Sequence, residues 1–299
     1  MSEPTSGAES PPPPVVDGTP QEIAPGVWIV PDGGVPLVPN IGIVLGEQRA
    51  LVVDTGMGPE NGRRVRQIAE ELARGRELVL TITHFHPEHG FGAQAFADAT
   101  IVYNRAQREE LRQKGTGYLE MFRTFGPGVA GALDGVELVE ANDVYDGEAS
   151  TVDLGGRSVE LRTWGQAHTL GDQVVFLPEE RILFTGDLVE ERCFAIVPYF
   201  PPEDTDVDGE KWIAVLDRLE GLAPEIVVPG HGSVGGSSLV REVRNYLAAL
   251  RDEVRELQSA GVPVDAAVEQ LDARMRSLHP DWVQPEWIGF GVRHFYEAG

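Results

Sequence analysis

Cysteine is almost absent from this chain. Cys193 is the only one in 299 residues, so the sequence excludes an internal disulfide framework and a cysteine-based zinc finger. A lone cysteine can be a catalytic thiol, but a buried structural cysteine is the more common case. We therefore expect a reducing, cytoplasmic setting for this protein.

Basic residues and long apolar runs are also scarce. The chain has 24 lysines and arginines against 48 aspartates and glutamates, which gives a formal net charge of -24. Nucleic acids and anionic membranes bind basic patches, so this balance argues against both as the main partner. No apolar run approaches the roughly 20 residues that span a bilayer. We expect a small-molecule substrate, and a homo-oligomer is compatible with the sequence.

Proline is concentrated near the N-terminus, where the sequence runs Pro11-Pro12-Pro13-Pro14. This stretch lacks the basic and apolar regions of a secretory signal. Residues 1–21 are therefore expected to form a disordered, proline-rich tail. The remaining length suits one folded domain at 22–236 and an amphipathic helical extension at 237–299 that packs on the same domain.

The hydrophobic periodicity predicts an order of elements. In chain order these are strands at 27–30, 41–45 and 50–53, a helix at 59–73, strands at 78–82 and 100–103, a helix at 105–114, strands at 136–139, 151–154, 158–162, 173–177 and 181–184, a helix at 208–222 and a strand at 225–228. Two sheets with helices outside fit this order better than one doubly wound sheet. Tyr118, Met121, Phe122 and Phe125 stand at helical spacing, which is typical of a core; the alternative is an apolar cap over a site.

One short stretch is rich in groups that bind metals. His84, His86, Glu88 and His89 fall within six residues, directly after an apolar strand-like run. Histidines two apart on extended backbone project to the same side, so His84 and His86 can hold one ion together. Imidazole and carboxylate are ligands of zinc, and also of non-haem iron and manganese. The alternative is a surface loop that happens to be rich in histidine.

Three further loops at strand ends carry residues of the same types. They contain His168, Asp187 and His231, so that five of the 7 histidines lie at strand ends. Such loops are where a rigid sheet can collect side chains that are distant in sequence. A single histidine beside glycine is more often a turn residue, but the joint pattern predicts one shared metal site.

These motifs and their order resemble those of the metallo-β-lactamase superfamily. The resemblance covers roughly residues 28–232 and rests on Asp54 in Asp-Thr-Gly, the cluster at 84–89, His168, Asp187 and His231. It implies an α/β fold, namely a four-layer αββα sandwich with the metals at one edge between the two sheets. The helices after residue 237 would be additions to that fold.

The resemblance also implies a set of metal ligands. Carried over residue by residue, His84, His86 and His168 would hold one ion, His89 and His231 would hold a second, Asp187 would bridge the two, and Asp54 would brace the cluster through hydrogen bonds. Glu88 stands where the family usually has aspartate. Since glutamate is one methylene longer, it would either ligate the second ion or act as the general base of a one-metal site.

The expected activity is that of a metallo-hydrolase with one or two zinc ions, iron and manganese being alternatives. A metal-bound hydroxide would attack an ester, thioester, lactone or amide, and Asp187 or Glu88 would handle the proton. Phe194, Tyr199 and Phe200 follow the Asp187 motif in a proline-rich segment. They would line an apolar substrate pocket or, alternatively, fasten their own loop to the surface.

A different chemistry is compatible with the same fold. Persulfide dioxygenase-like members of the superfamily use a single iron, for which His84, His168 and Asp187 would be the ligands. The glyoxalase II-like thioesterases also carry a helical C-terminal segment that helps to bind substrate. This chain has such helices, but it shows no motif that matches glutathione binding.

Overall fold

Two β-sheets face each other and helices cover their outer surfaces. The computed structural model describes residues 12–199 and 205–298. The first sheet has seven strands in sequential order: β1 (Gln21–Ala24), β2 (Val27–Val30), β3 (Ile41–Leu45), β4 (Arg49–Val53), β5 (Glu77–Thr81), β6 (Thr100–Asn104) and β7 (Asp143–Tyr145). Strands β1 to β4 pair antiparallel, and β4 to β7 pair parallel. The change to parallel pairing brings the C-terminal ends of β4 and β5 to one edge.

The second sheet is formed by the later strands. They are β8 (Ala149–Asp153), β9 (Ser158–Arg162), β10 (Val174–Leu177), β11 (Ile182–Phe184) and β12 (Ile226–Val228). The order is β12-β11-β10-β9-β8, and only the β11–β12 pair within this sheet is parallel. Strands β11 and β12 therefore end side by side, at the edge that also receives the end of β5.

Eight α-helices complete the described part of the chain. They are α1 (Gly58–Ala73), α2 (Pro87–Gly90), α3 (Arg105–Phe122), α4 (Pro127–Ala132), α5 (Gly209–Gly221), α6 (Ser238–Ser259), α7 (Val264–Leu278) and α8 (Trp287–Ala298). Helix α3 begins with a capping box in which Asn104 and Gln107 bond to each other's backbone N–H groups. Gln107 Nε2 also donates to the carbonyls of Ile82 and Thr83, which fastens the start of α3 to the loop after β5.

Three hydrophobic clusters separate the layers. One lies between the sheets and includes Leu51 and Val53 from the first and Leu161 and Val175 from the second. A second cluster joins the outer face of the first sheet to α1 and α3. The third joins the second sheet to α5, α6, α7 and α8. Burying each such aliphatic side chain contributes about 1.5–3 kcal/mol, so every layer is held by its own core. The predicted four-layer sandwich with additional C-terminal helices is confirmed.

The predicted tail is only in part outside the described residues. Residues 1–11 lie outside them, whereas Val16 is fully buried and its N–H donates to Asn61 of α1 at 2.8 Å. Asn61 Nδ2 in turn donates to the carbonyl of Pro14 at 2.7 Å. Residues 14–16 therefore pack against α1, because the Asn61 side chain bonds to their backbone and Val16 is buried, while the tail at 1–21 stays a prediction. The helices after 237 share a cluster with the second sheet, and we propose that 22–236 and 237–299 form one folding unit.

One predicted strand is absent from the structure. Residues 136–139 are not a strand; their apolar side chains are half-buried against the cluster that contains α3, which explains the misleading periodicity. The strand that pairs with β6 is β7, at 143–145. Helix α3 also extends beyond the predicted end at 114 and includes Tyr118. In the described ranges, 12–199 and 205–298, no helix is both long and apolar enough to cross a membrane.

Candidate metal centre

The loop after β5 is held in place by Asp54. This residue lies at the end of β4 in the left-handed region, with φ of 67°, and is 1% exposed. Its Oδ1 accepts the Thr83 N–H at 2.7 Å, and its Oδ2 accepts the Thr83 hydroxyl at 2.9 Å. Oδ2 also lies 2.9 Å from Nδ1 of His89. A single carboxylate thus connects both ends of the histidine-rich turn.

A first group of ligand atoms meets at the end of β5. Nδ1 of His86 lies 3.0 Å from Nε2 of His84 and 3.3 Å from Nε2 of His168. Asp187 Oδ2 is 3.7 Å from His84 Nε2 and 4.0 Å from His168 Nε2. Nitrogens that bind zinc tetrahedrally at 2.0–2.1 Å lie about 3.3 Å from each other. These four side chains, which we call set one, therefore have the spacing of a tetrahedral site.

A second group lies on the other side of the same aspartate. Asp187 Oδ1 is 3.2 Å from Nε2 of His89 and 3.7 Å from Nε2 of His231. Glu88 brings a carboxylate oxygen within 4.8 Å of these atoms. We call Glu88, His89, Asp187 and His231 set two. Because Oδ2 of Asp187 faces set one and Oδ1 faces set two, this carboxylate is in position to bridge two ions.

The hydrogen bonds behind two of the histidines orient their inner nitrogens. Nδ1 of His168 lies 2.8 Å from the carbonyl of Ile196, which can only accept, so this nitrogen carries the proton. Nδ1 of His89 faces the carboxylate of Asp54 in the same way. In both rings Nε2 therefore points to the centre, as in a metal ligand that is oriented by an outer partner. His168 presents a lone pair there, whereas His89 would release its Nε2 proton when a metal binds.

Several buried atoms at this centre have no partner within the described residues. They are Nε2 of His89, Oδ1 of Asp187 and Oε2 of Glu88. Although His89 Nε2 and Asp187 Oδ1 are only 3.2 Å apart, their orientation does not make a hydrogen bond. Buried polar groups without a partner are costly, by about 1–3 kcal/mol each. A cation among them would satisfy all three, so the residues of set two fit a metal ion.

The electrostatics of the two sets differ. Burial, reinforced by the neighbouring imidazoles, lowers the pKa of His84 and His86 well below the usual range, so both are neutral and able to ligate. Burial also lowers the pKa of His89, but Asp187 and Asp54 outweigh it and raise that pKa well above the usual range. For Asp187, burial acts upward and is outweighed by His89 and His231, so its pKa is held well below the usual range. Asp187 is thus ionised, as a bridging ligand must be.

Glu88 reaches set two despite its longer side chain. It is 6% exposed and lies in the first turn of α2, which begins at Pro87. Burial raises the pKa of its carboxyl to about 7. The extra methylene is accommodated because the short helix directs the side chain toward the centre, so the residue type does not exclude a second ion.

A cavity of about 660 Å³ opens onto the two sets. One wall is formed by α3 and the turn after it, where Tyr118, Met121, Phe122 and Phe125 line the cavity. The ring of Tyr118 stacks on His86, with 5.2 Å between the centroids. The helical aromatic stripe therefore forms an apolar cap beside the site as well as contributing Tyr118 and Phe122 to the core.

Two of the predicted aromatic pocket residues, Phe194 and Tyr199, do not line this cavity. Phe194 points into the core, where it contacts Tyr246 and Trp282. The hydroxyl of Tyr199 donates to Glu297, and Phe200 lies outside the described residues. The contacts of Phe194 and Tyr199 favour the alternative in which these aromatic side chains fasten their own segment to the rest of the protein.

The side of that segment that faces the cavity carries Cys193, Ile196 and Pro198. Sequence reasoning also missed Glu190 and Trp287, which lie in the same wall. The only available signal for Glu190 was its place three residues after Asp187. Trp287 had no signal, because it lies 100 residues further along the chain than Asp187.

The fold and the paired ligand sets define a class of protein. Residues 34–231 match the family model of the metallo-beta-lactamase superfamily. These residues make up more than half of the 299-residue chain. The chain therefore belongs to this superfamily, and it is a metal-dependent hydrolase of that family.

The individual relatives described below share less than 30% sequence identity with this chain. The chain is similar to human acyl-coenzyme A thioesterase MBLAC2, with 29% identity over 227 residues, 70% of this chain and 78% of the relative. It is also similar to 2,4-dinitroanisole O-demethylase subunit alpha of Nocardioides sp. (strain JS1661), with 28% identity over 210 residues, 69% of this chain and 55% of the relative. In structure it resembles the stereoselective inverting sec-alkylsulfatase Pisa1 from Pseudomonas sp., with a TM-score of 0.72 at 15% identity over 94% of this chain. This chain covers only 50% of that structure, and the likeness shows the fold alone.

Replacing Asp54 with asparagine tests its bracing role. The amide oxygen can still accept from Thr83, but the His89 ring loses its charged partner and its fixed proton position. We expect affinity for the second ion to fall by about 10- to 100-fold, the usual effect of removing an outer partner. Competition with a chromogenic chelator measures this affinity, and affinity for both ions equal to wild type would contradict the assignment.

Proposed function

We propose that this protein is a dinuclear zinc hydrolase that cleaves an ester, thioester, lactone or amide bond. The observation that carries the proposal is the position of Asp187, which directs one carboxylate oxygen to each of two buried ligand sets. Histidine and carboxylate ligands at this spacing suit zinc. A small-molecule substrate and a cytoplasmic location belong to the same proposal.

The side chains of the two sets would act by holding and orienting groups. Two divalent ions, when bound, supply a water of lowered pKa and polarise the oxygen of the scissile group. Asp187 would fix the separation of the two sets, and Asp54 would fix the ring of His89. Glu88 would ligate in set two, where its Oε2 has no partner among the described residues.

The relatives support hydrolysis without selecting a substrate. The human relative is a thioesterase by name, and thioesters are among the bonds proposed here. The name of the Nocardioides relative describes removal of a methyl group from an aryl ether, which is a different bond. The apolar wall of the cavity indicates that the group next to the scissile bond is partly hydrophobic.

Counting metal ions tests the proposal. Wild-type protein loaded with zinc should hold two ions per chain by elemental analysis after gel filtration. The variant Glu88→Gln should hold one, because a neutral amide is a poor zinc ligand, and Glu225→Gln, at an exposed position far from the centre, should hold two.

Two results would contradict the proposed dinuclear zinc site. The first is a firm value of one zinc per chain in wild type that added zinc does not raise. The second is one tightly bound iron per chain together with oxygen uptake on a persulfide, which would favour a site made of His84, His168 and Asp187 alone.

A further inference from the structure

Glu190 is a buried acid beside the Cys193 thiol, and burial together with the charge of Asp187 raises the pKa of its carboxyl well above the usual range. It is 5% exposed, it lines the cavity, and neither carboxylate oxygen has a hydrogen-bond partner among the described residues. It stands three residues after Asp187, at the side of the metal centre. Leaving a carboxylate without a partner in such a place costs free energy, and proteins keep such groups mainly where a ligand will complete them.

Two other carboxylates of this wall, those of Asp32 and Glu191, are bonded to backbone N–H groups. Asp32 Oδ2 accepts the N–H of Gly232 at 2.8 Å. Glu191 Oε2 accepts the N–H of Ser233 at 2.9 Å, and its other oxygen lies 3.8 Å from Arg192. The side chain of Arg192 is 65% exposed and is not part of the cavity wall. Glu190 is thus available to a bound molecule, whereas Asp32 and Glu191 hold backbone N–H groups.

The remainder of the wall has the chemistry that receives an organic cation. No lysine or arginine of the described residues lines the cavity, while Glu286 adds a further carboxylate. The rings of Tyr118, Phe122 and Trp287 line it as well. Aromatic faces combined with a carboxylate are how proteins bind substituted ammonium groups, because the ring quadrupole attracts the positive charge and the alkyl groups are buried.

We propose that the cavity takes substrates that carry an alkylammonium group near the scissile bond, with Glu190 as the counter-ion. This inference rests on the proposed hydrolase function and adds a substrate class to it. It also separates this chain from an acyl-coenzyme A thioesterase, since coenzyme A brings phosphate groups and no basic side chain of the described wall would meet them.

Binding of two matched alcohols tests the charge preference without any turnover. Choline and 3,3-dimethylbutan-1-ol have nearly the same shape and differ in the positive charge. Calorimetry on zinc-loaded wild type should show choline binding at least about tenfold more tightly, the size of one charge-assisted contact. The variant Glu190→Gln should lose that preference, and Glu225→Gln, which changes the net charge equally on a remote exposed side chain, should retain it.

The Glu190→Gln variant keeps the shape of the side chain and replaces a buried carboxyl that has no hydrogen-bond partner among the described residues, so we expect it to fold. Equal thermal unfolding midpoints for the three proteins would establish this. Equal binding of the two alcohols by wild type, or an unchanged preference in Glu190→Gln, would overturn the inference.

Hydrolysis of two matched thioesters separates this inference from the proposed function. Wild type should cleave acetylthiocholine with a higher kcat/KM than S-(3,3-dimethylbutyl) thioacetate, and Glu190→Gln should lower only the former, by about tenfold or more. Cleavage of both esters without a charge preference would overturn the substrate class and leave the hydrolase proposal in place. Selective choline binding without cleavage of any bond class named above would support the cation site and overturn the hydrolase proposal.

Discussion

Replacing Asp187 with alanine is expected to abolish turnover while the fold remains intact. This carboxylate is the member that the two ligand sets share, so its loss removes an oxygen from each. It also leaves His89 and His231 without the negative charge that faces them at 3.2 and 3.7 Å. The loss of kcat/KM should exceed roughly 100-fold, the upper end of the effect of removing an outer hydrogen-bond partner such as Asp54. Removing Asp187 affects the binding of both ions, whereas removing Asp54 affects the orientation of one histidine ring.

The measurement combines elemental analysis with turnover on the best substrate found. We expect Asp187→Ala to retain one zinc ion or none, and to unfold cooperatively, since the sheets and helices keep their three clusters. Asp217→Ala, at a half-exposed position on α5, is the control and should match wild type. Activity above about a tenth of wild type, or two ions retained in Asp187→Ala, would contradict the bridging role.

The meeting of the candidate metal ligands was predictable from sequence because it depends on strand ends. His84 follows β5, Asp187 follows β11 and His231 follows β12, and each of these strands is a short apolar run with a clear end. Once two sheets are stacked, the loops at their common edge converge, whatever lies between them in the chain. The structure brings these loops within coordinating reach, and the ligand role of each residue stays a prediction until metal is counted.

The lining of the cavity was not predictable, because it depends on pairings between distant segments. Cys193 forms an isolated β-bridge with Val283, and both residues lie in the cavity wall. Phe194 is turned into the core, although a sequence of aromatics and prolines after Asp187 suggested a pocket. Glu286 and Trp287 from the C-terminal part also lie in the wall. The C-terminal segment therefore contributes to the lining of the cavity beside the two ligand sets. The periodicity of α6 and α7 could not indicate this contribution.

Replacing Gly230 with alanine is expected to lower turnover and metal binding, although Gly230 belongs to neither ligand set. Gly230 precedes His231, and a Cβ built on it would lie 1.9 Å from Oδ1 of Asp187 and 2.8 Å from the carbonyl carbon of Gly186. The N–H of Gly230 donates to the carbonyl of Gly186 at 3.0 Å, so the backbone cannot simply retreat. Asp187 must then move, and we expect kcat/KM to fall by about 100-fold or more as the bridging oxygen leaves its position.

The matched control is the same substitution at an open position. Gly117 lies inside α3 with no atom near a built Cβ, so Gly117→Ala should raise the free energy of unfolding by about 0.5–1 kcal/mol and leave zinc content unchanged. For Gly230→Ala we expect the second ion to be lost in elemental analysis while the protein still unfolds cooperatively. Two retained ions and wild-type turnover in Gly230→Ala would mean that Asp187 does not need the position it occupies, and the bridging geometry would then have to be abandoned.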